Sequence, residues 1–292
     1  MSEERWAIVL GASAGTGADI ARALARDPGL HVFGVHRGHY PDDAAAVVAD
    51  VEAGGRRCVM HVGNAGTHDA AWDIARRFEA LAGRRSAAMM VHSLSGASVG
   101  RFLASHDDQF SPRNFEKTFD YLAHSFAYWA QALHGLDLLA PNARLLGLTN
   151  VLHDSLLHNA GLIAAAKAAL DMYVKFLAME LGPLGHRVNL LKFPTVVTPA
   201  LRALLGPDAI ARVEEVHRDL VPAGRICTTD EVARFVSLLA RPETEWLNGA
   251  MIDFTGGMTL RLLDVVLQPD SSHLRRATPV EHTAAARRAA TA

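Results

Sequence analysis

Residues Ile8–Ala25 read IVLGASAGTGADIARALA: an apolar run, then a turn with three glycines, then an amphipathic stretch. The glycines are Gly11, Gly15 and Gly17, in the spacing G-x-x-x-G-x-G. Glycines at a strand-to-helix turn let the backbone approach a pyrophosphate, which then lies at the positive end of the helix. Two side chains of the turn can add hydroxyl donors: Ser13 and Thr16. The stretch therefore predicts a dinucleotide-binding strand, turn and helix.

The rest of the chain repeats this alternation of short apolar runs with longer amphipathic runs. The predicted strands are Trp6–Leu10, His31–Val35, Arg57–Val62, Ala88–Val91, Ala143–Leu148, Arg187–Lys192 and Ala250–Phe254. The predicted helices are Gly17–Ala25, Pro41–Ala53, Thr67–Leu81, Asn114–Leu139, Ala160–Leu181, Ala200–His217 and Thr229–Ala240. Strands that alternate with helices indicate βαβ units around a parallel sheet. The sequence predicts an α/β fold, with one doubly wound Rossmann-type domain around a seven-stranded parallel sheet.

The predicted domain covers residues 1–267, because no change in composition divides that part of the chain. Residues 268–292 are different: they lack apolar periodicity and carry two Arg-Arg pairs. Such a segment cannot bury enough apolar surface to fold, so we expect a largely disordered tail.

Composition narrows the classes of partner. The chain has 292 residues and a formal net charge of −2, so nothing attracts it as a whole to nucleic acid or to an anionic membrane. Its two cysteines, Cys58 and Cys227, are not in a metal-ligand spacing, and we expect no metal. No apolar run reaches the roughly 18 residues of a membrane span. The start, MSEERWAIVL, has no basic region before an apolar stretch, so we expect a cytoplasmic protein.

The end of the second predicted strand bears on the choice of nucleotide. It reads VFGVHRG, with no acidic residue to hold the adenosine ribose hydroxyls, and Arg37 follows the strand. Arginine makes bidentate contacts with phosphate groups. The sequence therefore favours NADP(H) over NAD(H), although Arg37 could also be a solvated cation of the loop.

The glycine spacing, a lysine in a later helix and the run PTVVT (Pro194–Thr198) together resemble the short-chain dehydrogenase/reductase superfamily. The runs Val221–Ala240 and Leu247–Gly257 are similar to the last turn, helix and strand of that superfamily. VHSLSGA (Val91–Ala97) and MELGPLGHRVNLL (Met179–Leu191) resemble the divergent enoyl-acyl-carrier-protein reductases in particular. Beyond the turn and Arg37, the resemblance implies these cofactor-binding residues: His61, Val62, Ser93, Leu148, Lys167, Pro194, Val196 and Thr198.

Two departures from the superfamily pattern stand out. The third strand normally ends in Asp-Val, whose carboxylate meets the adenine, whereas this chain has His61-Val62. The second departure is the absence of a tyrosine that normally precedes the lysine by four residues, or by seven in enoyl reductases. Those positions hold Ile163 and Ala160.

The resemblance gives the lysine two roles, lowering the pKa of the tyrosine and holding the nicotinamide ribose. Only the second role remains here, so we interpret Lys167 as a ribose ligand rather than a lysine that extends to solvent. Asn150 stands where a helper serine or second tyrosine usually lies, and its amide can stabilise an oxyanion but cannot give a proton. His158, close to it in the sequence, can act as an acid near neutral pH, although a bystander role explains it as well. The predicted catalytic residues are Lys167, Asn150 and His158.

Three functions remain open at this point. The first is an NADPH-dependent reductase of an enoyl thioester or a related conjugated or imine acceptor, with an atypical proton source. The second is a non-redox nucleotide-binding sensor or scaffold, and the third is an isomerase or lyase on the same fold. The expected substrate is a small molecule or a carrier-bound acyl group. Two long helices, around residues 114–139 and 160–181, are apolar over more than one face, so we expect a homodimer or homotetramer.

Overall fold

The computed structural model of the chain describes residues 4–104, 109–151 and 156–261. Within these residues seven parallel strands form a single sheet in the order β3-β2-β1-β4-β5-β6-β7. The strands are β1 (Trp6–Leu10), β2 (His31–His36), β3 (Cys58–Val62), β4 (Ala87–His92), β5 (Leu139–Asn150), β6 (Arg187–Phe193) and β7 (Met251–Asp253). The predicted doubly wound parallel sheet of seven strands is confirmed.

Helices cover both faces of the sheet, in keeping with strands that are apolar on both sides. They are α1 (Gly15–Arg26), α2 (Pro41–Ala53), α3 (His68–Ala82), α4 (Pro112–Phe119), α5 (Ser125–Gly135), α6 (Gly161–Leu181), α7 (Pro199–Leu205), α8 (Pro207–Leu220) and α9 (Thr229–Leu239). One core lies under α1, α2 and α9, with Ile20 and Val236 among its members. The other lies under α3, α5 and α6 and contains Phe78, Trp129 and Leu170.

The strand order reverses beside β1, where β2 pairs on one side and β4 on the other. Ligands of open parallel sheets bind at the carboxyl ends of the strands at such a switch point. Leu10 pairs with Val35 in β2 and with His92 in β4, so the three strands end at one level. The connection that leaves β1 and the one that leaves β4 therefore lie next to each other.

Two predicted helices were wrong in extent. The predicted helix Asn114–Leu139 is α4, then a π-helical turn, Asp120–His124, then α5, and β5 already begins at Leu139. The apolar run around residues 136–140 has no period that separates helix from strand. The helix ends at Gly135, and Asp137, just after it, adopts a left-handed conformation with a φ of 54°. The predicted helix 200–217 breaks at Gly206, whose φ is 74°.

The sequence also predicts a disordered tail, no membrane-spanning segment and no metal site. The predicted tail, residues 268–292, lies outside the described residues. Within the described ranges, no helix combines the length and the apolar character required to cross a membrane. The same ranges hold no group of three or more His, Cys, Asp or Glu side chains arranged to bind a metal ion.

Candidate active site

Two positions at the turn between β1 and α1 have no room for a side chain. Gly11 has a φ of 90°, and a Cβ built on it would lie 2.4 Å from the carbonyl oxygen of Ser93. A Cβ on Gly17 would lie 2.0 Å from the carbonyl oxygen of Gly11. Gly15 begins α1 with a φ of 58°. These close approaches leave a bare backbone surface at the carboxyl end of β1.

The N-terminus of α1 lacks a side-chain cap. Ala14 occupies the capping position and makes no side-chain hydrogen bond, and the first turn contains no acidic residue. The first amide groups of a helix need an acceptor, and an anion can supply it. A cavity of about 130 Å³ opens beside this turn, with Ser13 and Pro199 in its lining. Thr16 is buried in the same turn, so the geometry fits a phosphate group.

The loop after β6 reaches the same turn. A Cβ on Gly15 would lie 3.1 Å from the side chain of Thr198, which also accepts a hydrogen bond from the Leu201 amide at the start of α7. Pro194 is buried, and Val196 forms a parallel bridge with Cys227. The predicted segment Pro194–Thr198 therefore lies against the glycine-rich turn, as a loop that covers the middle of a dinucleotide would.

Lys167 is buried within α6, with 7% of its surface exposed. Its Nζ donates a hydrogen bond of 2.6 Å to the carbonyl oxygen of Leu148, close to the carboxyl end of β5. Burial lowers the pKa of Lys167 from 10.5 to about 8. Among the described residues no carboxylate pairs with this ammonium group. The protein therefore holds an ammonium group with a lowered pKa, oriented by one backbone carbonyl, at the end of the sheet.

A second buried base lies near this lysine. His92 ends β4 and is fully buried, and its Nε2 lies 2.7 Å from the Oγ of Ser125 in α5. Burial first, and then the charge of Lys167, lower the pKa of His92 to about 3. The imidazole is consequently neutral at any working pH. The sequence alone indicates no role for His92, because its burial beside α5 and α6 depends on the packing of three elements.

The two positions that correspond to the superfamily tyrosine, seven and four residues before Lys167, hold apolar residues. Ala160 is buried just before α6, and Ile163 is half-buried against the core under that helix. The four tyrosines of the chain make their contacts elsewhere: Tyr40 precedes α2, Tyr121 donates to Asn64, Tyr128 packs on His68, and Tyr173 contacts His124. No tyrosine hydroxyl is hydrogen-bonded to Lys167.

The other two predicted catalytic residues lie on either side of the segment 152–155, which is outside the described residues. Asn150 is the half-buried last residue of β5, two positions after Leu148, so the two side chains point to the same face of the sheet. His158 is exposed in the segment that leads into α6. The carbonyl oxygen of the next residue, Asn159, accepts a hydrogen bond from Gly100, which joins that segment to the connection after β4.

The residues expected to meet the adenosine lie at the carboxyl ends of β2 and β3. Arg37 is exposed, and its guanidinium carbon lies 5.2 Å from the centre of the Tyr121 ring. His61 stacks on Phe33, with ring centres 6.3 Å apart, and burial followed by the charge of Arg77 lowers its pKa. Val62, at the end of β3, is largely exposed. The structure thus brings these residues to one end of the crevice, beyond the glycine-rich turn.

A family model described as enoyl-(acyl carrier protein) reductase matches residues 11–259. The short-chain reductase protein NovJ of Streptomyces niveus is 30% identical over 268 residues, which cover 88% of this chain and 95% of that protein. The dehydrogenase OXI1 of Cochliobolus heterostrophus is 34% identical over 103 residues, 35% of this chain, and the match spans only 44% of that relative.

Solved structures give the same picture of the fold. A short-chain dehydrogenase from Burkholderia cenocepacia, in complex with NADP, superimposes with a TM-score of 0.73 at 27% sequence identity. The superposition covers 88% of this chain and 98% of the other.

Proposed function

Because the chain belongs to the enoyl-(acyl carrier protein) reductase family of short-chain dehydrogenases/reductases, and is thus an NAD(P)-dependent oxidoreductase, we propose that it is an NADPH-dependent reductase. The proposed acceptor is an enoyl thioester or a related conjugated or imine compound. The observation that carries this proposal is Lys167, buried at the end of β5 beside the glycine-rich crevice, with no tyrosine hydroxyl bonded to it.

The described residues fit a dinucleotide. The bare turn at Gly11 and Gly17 and the uncapped amides of α1 would hold the pyrophosphate, and Lys167 would hold the ribose next to the nicotinamide. Arg37 would bind the 2′-phosphate that distinguishes NADPH from NADH, since no acidic residue stands after β2. When bound, the cofactor supplies a hydride. The NADP complex of the similar Burkholderia cenocepacia enzyme supports the choice of cofactor.

The acceptor is proposed from the chemistry that the site can support. Reduction of a ketone or an enoyl thioester builds negative charge on oxygen, and a good hydrogen-bond donor there lowers the barrier by about 3 kcal/mol. The side chain of Asn150, at the end of β5, is the candidate donor. An iminium acceptor takes a hydride without forming an oxyanion and needs no such donor. An imine acceptor therefore suits the site better than an ordinary ketone, whereas the enoyl thioester is proposed because of the family match.

The proton source is proposed to be atypical. The neutral imidazole of His92 has no contact with solvent, so it maintains the surroundings of Lys167 rather than delivering a proton. His158 is exposed in the segment before α6, where its imidazole can reach a substrate that approaches this segment. We propose that two residues together replace the tyrosine: His158 donates the proton, and Asn150 orients the acceptor.

Exposed apolar side chains in the connections after β4 and before α6 indicate the class of substrate. Phe102 and Leu103 follow β4, and Leu156 and Leu157 precede α6, all with more than half of their surface exposed. A Cβ on Gly161 would lie 2.2 Å from the Phe102 ring, so the two segments are in contact. Apolar surface of this extent next to a polar site suits an acyl chain, free or carried on a protein.

We further propose that the enzyme acts in the cytoplasm.

Cofactor binding is tested by titrating the protein with NADPH and following nicotinamide fluorescence. Lys167→Ala should weaken saturable binding by about tenfold or more, because a charge-assisted hydrogen bond to the ribose contributes about 1.5–3 kcal/mol. Lys175→Ala is the matched control, because Lys175 lies on the same helix but pairs with Asp171, away from the crevice. Equal NADPH affinity in the Lys167 variant and the wild type would contradict the ribose role.

Activity is tested by stopped-flow oxidation of NADPH with a panel of enoyl thioesters, cyclic imines and simple ketones. We expect turnover of the conjugated or imine compounds and a much slower reaction, by about 100-fold or more, with the ketones. Asn150→Ala should slow an enoyl substrate more than an imine. Saturable NADPH binding with no turnover across the panel would contradict the reductase and favour a nucleotide sensor.

A further inference from the structure

Tyr121 occupies a narrow slot at the carboxyl ends of β3 and β4. It lies in the π-helical turn between α4 and α5, and its hydroxyl donates a hydrogen bond of 2.7 Å to the Oδ1 of Asn64, just after β3. A Cβ on Gly66 would lie 3.0 Å from the ring, and a Cβ on Gly96, in the connection after β4, would lie 2.9 Å from it. Two glycines and one hydrogen bond therefore determine where the ring lies.

Arg37 lies over the face of this ring. It is the first residue after β2, and its guanidinium carbon is 5.2 Å from the ring centre, within the range of a cation–π interaction. Across the ranges 4–104, 109–151 and 156–261, no carboxylate forms an ion pair with Arg37. The position of this exposed cation is set by an aromatic face and not by an acid.

This distinction matters for a cation that must receive a phosphate group. An acidic partner would neutralise the guanidinium and compete for its N–H donors. Contact with a ring face restricts the long arginine side chain before the ligand binds, so less rotamer freedom is lost on binding. It also leaves the N–H donors of the guanidinium group free to bind a phosphate. Pre-organisation of this kind raises affinity without adding a contact to the ligand.

We propose that Tyr121 is a positioning residue, held by Asn64, which keeps Arg37 at the place where the 2′-phosphate of NADP(H) binds and thereby sets the preference for NADPH over NADH. This rests on the proposed NADPH-dependent function. Tyr121 acts through Arg37 and does not need to touch the phosphate. The ring connects the ends of β2, β3 and β4, where the adenosine end of a dinucleotide lies in a sheet of this order.

The test compares the dissociation constants of NADPH and NADH, measured by fluorescence titration, for the wild type and three variants. Arg37→Ala should weaken NADPH binding by about 10- to 100-fold and leave NADH binding nearly unchanged. Tyr121→Leu should reduce the NADPH-over-NADH preference by about two- to five-fold. Tyr121→Phe keeps the ring but not the hydroxyl, and it should retain most of the preference.

A double variant separates positioning from a general packing defect. In the Arg37→Ala background, Tyr121→Leu should cause no further loss of preference, because the side chain that it positions is gone. Tyr128→Leu, which removes the tyrosine that packs on His68, is the control and should leave the ratio unchanged. An undiminished preference in Tyr121→Leu, or an equal loss with and without Arg37, would overturn the proposal.

The same titrations separate this inference from the proposed function. If the wild type binds neither nucleotide, the proposed function fails. If it binds both and Arg37→Ala changes neither constant, nicotinamide binding stands, while the assignment of Arg37 and the role of Tyr121 are both refuted.

Discussion

Burial of the Lys167 ammonium group costs the folded protein free energy. Its side chain is almost fully buried, and the hydrogen bond to the Leu148 carbonyl replaces only part of the water that it lost. The pKa falls from 10.5 to about 8, which corresponds to about 3 kcal/mol of unfavourable free energy for the charged form. Such a cost is typical of a group retained for binding or catalysis.

Replacement of this residue by an apolar side chain of similar length should therefore stabilise the fold. We expect Lys167→Met to raise the free energy of unfolding at neutral pH by about 1–3 kcal/mol, allowing for the lost hydrogen bond. In the wild type the unfolded lysine holds its proton up to pH 10.5 and the folded one only to about 8, so stability should rise with pH between these values. The variant should lack this contribution.

Urea unfolding followed by circular dichroism at several pH values from 7 to 10.5 measures both effects. Lys175→Met is the control, because Lys175 is about half exposed and pairs with Asp171. A Lys167→Met protein that is less stable than the wild type at pH 7, or that keeps the same pH dependence, would contradict the interpretation.

At the scale of elements, the turn between β1 and α1 is the most tightly constrained part of the crevice. Gly11 lets the turn approach the backbone of residues 93–94 directly, and Gly17 lets the first turn of α1 approach the backbone of Gly11. A strand-to-helix turn alone does not require contact with the connection after β4. The glycine spacing therefore serves the packing of two connections as well as the approach of a ligand.

Gly17→Ala should disrupt this turn. The new methyl group would lie 2.0 Å from the carbonyl oxygen of Gly11, so the backbone must shift. We expect a loss of about 1–3 kcal/mol of stability and a fall in NADPH affinity of about tenfold or more. Thermal unfolding and fluorescence titration measure the two effects. Gly54→Ala, at the end of α2 with a φ of −81°, is the control and should change neither; normal NADPH affinity in Gly17→Ala would contradict the role of the turn.

At the scale of the whole molecule, one face of α6 remains apolar and exposed. Met172, Phe176 and Met179 recur at helical spacing, each with about half or more of its surface exposed. Exposed apolar stripes of this kind are typical of protein interfaces. We propose that this face joins two copies of the chain in a homodimer, or in a homotetramer that uses a further surface.

Phe176→Glu should shift the protein to the monomer, because the interface would bury an unpaired carboxylate. Sedimentation velocity at several protein concentrations gives the oligomeric state. Val216→Glu, at an exposed position of α8, is the control and should leave the state unchanged. A monomeric wild type, or an oligomer unaffected by the Phe176 substitution, would contradict the proposed interface.

Apolar periodicity and residue type were enough to predict the alternation of strands and helices and the glycine turn after β1. They also identified Lys167 without a tyrosine four or seven positions before it. These features are local, because apolar periodicity, glycine spacing and residue type act within one or two elements. The C-terminal end of the predicted helix 114–139 could not be placed in this way, because the apolar run there fits helix and strand alike.

The residues from distant parts of the chain that meet at the carboxyl ends of the strands could be identified only once the chain was folded. The strand order places Arg37, Asn64 and Tyr121 together, although they belong to three different connections. It also encloses His92 beside Lys167, between α5 and α6. The physical reason is that such contacts depend on crossovers and on sheet register, which bring together residues far apart in the chain.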